Sequence, residues 1–208
     1  MRGVRDQFLL LGEFLRTDFR RTLLYTTLGL LLTVGVGAGL ACLSPELVER
    51  MVLSFQAQIE AKGVVDQAGE LSVFALLQNN WTAMLIPAVY GFIPFLFLPA
   101  VSLLANGTLM GMLGAWYPMH GVSLWIFLAG IAPHGICELP ALVLSIACGL
   151  YLCRNMCRLV VGSEKRVPLV ELLSDLLRVL VLLVMPLTVA AAFLECYVTP
   201  VFMDFVLR

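Results

Sequence analysis

The sequence predicts an all-α protein: a polytopic transmembrane helix bundle of about five spans, with a broken helix around a His-Gly-x-x-Glu-Leu-Pro motif. Three observations carry this. Of 208 residues, 61% are apolar and 13% charged, against roughly 25% charged in a soluble domain. The mean hydropathy is +0.96. Between Glu70 and Glu138 no Asp, Glu, Lys or Arg occurs. A water-exposed fold would then present an apolar surface, whereas lipid excludes charge because each one is costly there.

The elements follow in order. Residues 1–22 form a cytoplasmic amphipathic segment, in which Phe8, Leu11, Phe14, Leu15 and Phe19 recur near helical spacing among charged neighbours, as in a helix lying on a membrane surface. It does not read as a signal peptide, because the apolar run that follows begins late and is too long. The transmembrane domain is expected over 23–198. Its first span, 23–43, is long enough at ~1.5 Å per residue for a ~30 Å hydrocarbon core. Gly29, Gly35, Gly37, Ala38, Gly39 and Ala41 give it a small-residue side for a close helix neighbour, and an oligomer built on such sides is expected. Ser44-Pro45-Glu46 reads as an N-cap with proline in the first turn. The helix it starts reaches about Lys62, and Glu46, Glu49, Arg50, Glu60 and Lys62 keep it out of the hydrocarbon. Residues 63–70 read as a turn-rich polar link.

Asn79-Asn80 before Trp81 reads as a helix start with an interfacial anchor. Spans are then expected over 81–98, interrupted by Pro87 and Pro94, and over 100–116, with Pro99 between them. Residues 122–153 exceed a straight crossing, so Pro133 and Pro140 are expected to divide them into an entering segment, 122–132, and a helix, 133–153. A last span over 176–196 contains Pro186, and 199–208 forms a C-terminal tail. Basic residues concentrate in 1–22 and 154–178, while 44–70 is acidic. The positive-inside rule then puts the N-terminus and the 154–175 loop in the cytoplasm. The 44–80 segment and the C-terminus fall outside a cytoplasmic (inner) membrane.

The patch able to carry chemistry is Pro133-His134-Gly135-Ile136-Cys137-Glu138-Leu139-Pro140. His134 and Glu138 are four apart and share a helix face. Glu138 must be protonated, paired or turned to a polar cavity, since an isolated ionised carboxylate in lipid is prohibitively costly. The pair either fixes the fold by hydrogen bonding or handles protons or ions in a carrier-like broken helix. Two ligands fall short of a metal site, so no metal and no cofactor is expected. Asn106, followed by Gly107, serves as helix-to-helix glue or as a ligand contact. The six cysteines fall mostly in apolar runs, where cysteine acts as a small hydrophobe. No His-Glu-x-x-His or nucleophile–base pair points to an enzyme, and no basic face points to nucleic acid.

Leu104-Ala105-Asn106-Gly107 with Gly111, then Pro133 to Ala141 with Gly149-Leu150, resemble the stage II sporulation protein M family over about 21–198. The resemblance singles out Asn106, Gly107, His134, Gly135, Glu138 and Pro140. It implies a membrane protein that holds together envelope partners, including peptidoglycan-degrading enzymes, as the founding member does during engulfment in endospore formers. Many relatives occur in organisms that never sporulate. A transporter or channel using His134, Glu138 and Asn106 is the alternative.

The composition makes one direct prediction. The purified chain stays monodisperse in detergent or lipid and aggregates when both are removed; a monodisperse sample in plain buffer contradicts the membrane reading.

Overall fold

A computed structural model describes residues 3–61 and 72–207. The link expected at 63–70 lies outside these described residues. Within them all regular structure is helical: α1 (Val4–Leu15), α2 (Phe19–Leu43), α3 (Pro45–Ala61), α4 (Val73–Tyr90), α5 (Pro99–Met119), α6 (Leu124–Val160), α7 (Leu169–Val179), α8 (Met185–Phe193) and α9 (Thr199–Leu207). The last three join end to end, so α2, α6 and the run Leu169–Leu207 are, among the described residues, the three helices long and apolar enough to cross a membrane. The shorter α4 and α5 pack among them.

The centre of the bundle is α6, which touches α2, α4, α5, α8 and α9. Ser123 caps it by accepting the Trp125 N–H. Arg158 sits in its last turn, where a cation offsets the helix dipole, and Gly162 at φ +67° turns the chain away. The division expected at Pro133 is absent, because the helix runs unbroken from 124 to 160. Each proline removes the rung to the carbonyl four residues back. Unwinding would free several more backbone groups where no water can take them, so losing single rungs is the smaller cost.

Close contacts rest on glycine. A Cβ on Gly107 would collide with Thr33, and one on Gly111 or Gly37 would strike the backbone of the facing helix. The small-residue side of α2 is therefore occupied by α5 of the same chain, while Gly35 and Gly39 face open space. Gly91 and Gly149 bring the end of α4 against α6 in the same manner.

Three expected boundaries move. α4 begins at Val73, not at 81, with the Ser72 hydroxyl accepting the Ala75 N–H. Asn79 and Asn80 are inside the helix; Asn80 is buried, and Trp81 donates to Thr188 Oγ1 at 2.9 Å. α4 ends at Tyr90, and 91–98 form tight turns with Phe95 and Phe97 at φ +68° and +45°, a region unfavourable for bulky residues. Cysteines of α6 hold these turns: Cys157 Sγ accepts the Phe95 N–H, and the Cys153 thiol donates to Ile93 O at 3.3 Å. The C-terminal helix also exceeds the expected 176–196, and the expected tail from 199 is the helix α9.

The two ends of the bundle differ. At one, Leu11 and Phe14 of α1 are buried, with Phe14 and Phe19 edge-on to Tyr151 of α6. Arg178 of α7 donates to Gln7 at 2.8 Å and pairs with Asp175. The amphipathic face of α1 is thus turned to the protein's own helices. At the other end, α3 seats Val48 against Ala41 and Met112, and Glu49 meets His120 at 3.9 Å. Leu24, Leu28, Leu31, Leu32 and Val36 of α2 point outward, an apolar surface suited to acyl chains.

Gly107→Leu or Gly111→Leu forces α2 from α5 and costs about 1–3 kcal/mol or more, as overpacking does. Thermal unfolding in detergent should show a lowered midpoint for both and none for Gly35→Leu.

Candidate functional site

His134 and Glu138 stand one turn apart on α6, with His134 Nε2 3.8 Å from Glu138 Oε2. Opposite them runs the C-terminal helix, whose geometry is not a plain α-helix. Two π-helical turns interrupt it, Leu180–Val184 and Leu194–Val198. In each, the residue before a proline bonds five residues back: the Met185 N–H to Leu180 O ahead of Pro186, and the Thr199 N–H to Leu194 O ahead of Pro200. A proline ring collides with the carbonyl four back, and the wider turn relieves that collision. One inserted residue also rotates the side chains that follow by ~100°.

The second π turn delivers Glu195 to the pair on α6. Donor atoms of His134, Glu138 and Glu195 all lie within 4.8 Å of one another, each residue half-buried. Thr199 completes the arrangement. Its hydroxyl donates to Leu194 O at 3.1 Å, so its lone pairs are left to accept, and His134 Nδ1 lies 3.2 Å away. Nδ1 therefore carries a proton, and in the neutral ring Nε2 holds the lone pair, 3.8 Å from Glu138 Oε2. The group as a whole is one imidazole nitrogen and two carboxylates between two helices long and apolar enough to cross a membrane. Such a cluster can share a proton or hold a cation, because two carboxylates this close cannot both stay charged in a low dielectric without a counter-charge.

The residues singled out in the sequence divide between two places. Gly135, buried, adjoins the cluster, and a Cβ there would crowd Ile131 Cγ2 at 2.9 Å. Pro133 and Pro140 flank it within the same helix. Asn106 takes no part: its side chain is exposed and Nδ2 donates to Ser102 O at 2.8 Å on its own helix. Gly107 packs against α2. His120 belongs to the α3 end, where its ring stacks on Trp116 with centroids 4.2 Å apart.

Glu195 and Thr199 were missed by reading the sequence. The available signal was Glu195 itself, the one acidic residue between Asp175 and Asp204 in a strongly apolar run. Like Glu138, it needs a partner, a shared proton or a polar cavity in apolar surroundings.

A family model described as stage II sporulation protein M matches residues 28–200. That span holds the whole His134, Glu138, Glu195 and Thr199 arrangement and leaves α1 outside. No curated protein and no solved structure matches the chain.

The Thr199 contact can be read directly. Nitrogen NMR of the neutral His134 ring should report the Nδ1–H tautomer in the wild type and in Thr199→Ser. Thr199→Val should lose that preference and about 0.5–1.5 kcal/mol of stability, the usual net worth of one hydrogen bond. An unchanged tautomer in Thr199→Val contradicts the assignment.

Proposed function

The chain belongs to the stage II sporulation protein M family, and on that premise we propose that it organises or anchors envelope-associated partners at the cytoplasmic membrane. The family consists of scaffolding and morphogenesis factors rather than catalysts, and a general membrane-organising role follows from membership. The finer reading is supported chiefly by α3. This helix is seated on the bundle end through Val48 and is tied there by Glu49 to His120. It leaves Glu46, Glu49 and Arg50 exposed. A fixed, charged shelf outside the hydrocarbon is the surface through which a scaffold meets its partners.

The proposed topology has five passes, with α1 and the 161–168 connection cytoplasmic and α3 outside. The packing of α1 on α6 and α7 supports it, because both basic segments then gather on one side. In this arrangement the C-terminus lies outside. The partners proposed from the family are peptidoglycan-active enzymes, and a homo-oligomer remains part of the reading through the open Gly35 and Gly39 side of α2.

A second reading, a transporter or channel, is favoured by one observation: the His134–Glu138–Glu195 cluster between two helices long and apolar enough to cross a membrane. Asn106, exposed and bonded to its own helix, drops out of that route.

Two experiments separate these readings. Glu46→Lys with Glu49→Lys should reduce partner recovery with the tagged chain severalfold and leave the membrane domain folded; full recovery from the variant counts against the scaffold reading. In liposomes, a proton or ion flux abolished by Glu138→Gln and kept by the Glu46/Glu49 variant favours transport. No flux across a broad panel removes it.

A further inference from the structure

We propose that His134, Glu138 and Glu195 bind a divalent transition-metal ion of the zinc class, which clamps α6 to the C-terminal helix. Sequence spacing offered two ligands at most; the π turn at 194–198 supplies the third.

Four observations converge on this inference. The first is distance. Donor atoms within 4.8 Å of one another come into the first shell of one ion, at ~2.0–2.2 Å from each, by small rotamer changes of two glutamates. The second is the state of the histidine. With Nδ1–H given to the Thr199 hydroxyl, Nε2 is the bare nitrogen, and a ligating histidine held through its other ring nitrogen is the usual supporting arrangement around a metal. The third is charge. Two carboxylates and a neutral imidazole carry two negative charges, which a divalent cation cancels, giving a neutral cluster that the bilayer tolerates.

The fourth is local construction. Both π turns precede a proline, but only the second places an acidic residue against α6, and isolated π turns inside helices concentrate at functional sites. The mixed nitrogen–oxygen set selects among ions. Magnesium and calcium prefer oxygen alone, whereas imidazole suits zinc and its neighbours. Three protein ligands leave one coordination position for water or a partner's donor. The cluster lies ten residues into α6 from Leu124, ~15 Å along the helix at 1.5 Å per residue.

The metal would act as a clasp, not a catalyst. It joins α6 to the C-terminal helix across the contact their packing already makes, and without it the two carboxylates must share a proton instead. This inference stands apart from the partner reading, since the clasp holds with or without a bound partner.

The test uses the full-length chain in detergent, stripped with chelator and titrated with zinc, and with cobalt as an optical probe. The wild type should bind one ion per chain, with a cobalt spectrum free of thiolate charge-transfer bands, and zinc should raise its thermal midpoint. Glu195→Gln, Glu138→Gln and His134→Asn should each bind at least tenfold more weakly and lose the thermal shift. Thr199→Val should weaken binding ~10-fold or more, as supporting-shell changes do, while Cys153→Ser with Cys157→Ser should bind as the wild type does. Glu195→His, which keeps a ligand, should restore binding. If Glu195→Gln does not fold, the wild-type titration and cobalt spectrum decide alone. The proposal is overturned if the wild type binds no zinc at micromolar concentration, if its cobalt spectrum is thiolate-type, or if Glu195→Gln binds normally.

Discussion

The structure depends on one constraint: inside a bilayer no water is available to any backbone or side-chain polar group, so the helices must satisfy them. That explains why α6 stays continuous through Pro133 and Pro140. It also explains the bonds between helices. Trp81 donates to Thr188, the Ser145 hydroxyl reaches Met84 O, and Cys153 and Cys157 secure the backbone of 91–98. Other polar groups return to their own helix, as the Asn155 amide Nδ2 does to Tyr151 O at 2.9 Å and the Thr26 hydroxyl to Thr22 O at 2.8 Å. Glycine then permits the approach, at Gly107 and Gly111 between α2 and α5, and at Gly149 beside α4.

The same constraint governs the C-terminal helix. Pro186 and Pro200 could each have broken it; instead the chain widens one turn ahead of each and continues. The wider turn settles a steric problem locally and has a distant effect. It aims Glu195 and Thr199 at His134 and Glu138. A backbone adjustment forced by proline and a polar cluster between two long helices are therefore one feature.

The sequence made some of this legible and not the rest, for physical reasons. The C-terminal limit of α2 and the start of α3 at Pro45 follow from apolar runs and capping residues, which act locally, whereas α2 begins at Phe19, four residues ahead of the expected 23. The start of α4 was hidden because Asn79 and Asn80 look like an interface, and the burial of Asn80 depends on helices that come later in the chain. Two prolines in a stretch longer than one crossing predict a break in α6, and local spacing does not show that losing single rungs costs less than unwinding a segment. His134 and Glu138 were visible because four-residue spacing is enough to pair them. Glu195 was not, because its pairing needs the π turn and the packing of two helices, and neither is written in local spacing. The role of Cys153 and Cys157 was hidden likewise, since their partners are backbone atoms of a distant turn.

The central claim is that an unbroken α6 and a π-turned C-terminal helix meet at His134 and Glu195. Cross-linking in native membranes tests it most directly, with the six native cysteines replaced and single cysteines placed at 134 and 195. A short bifunctional thiol reagent should link the two positions within one chain, so that cleavage in the 161–168 connection no longer separates the halves. Efficient labelling of both sites without a link would contradict the account.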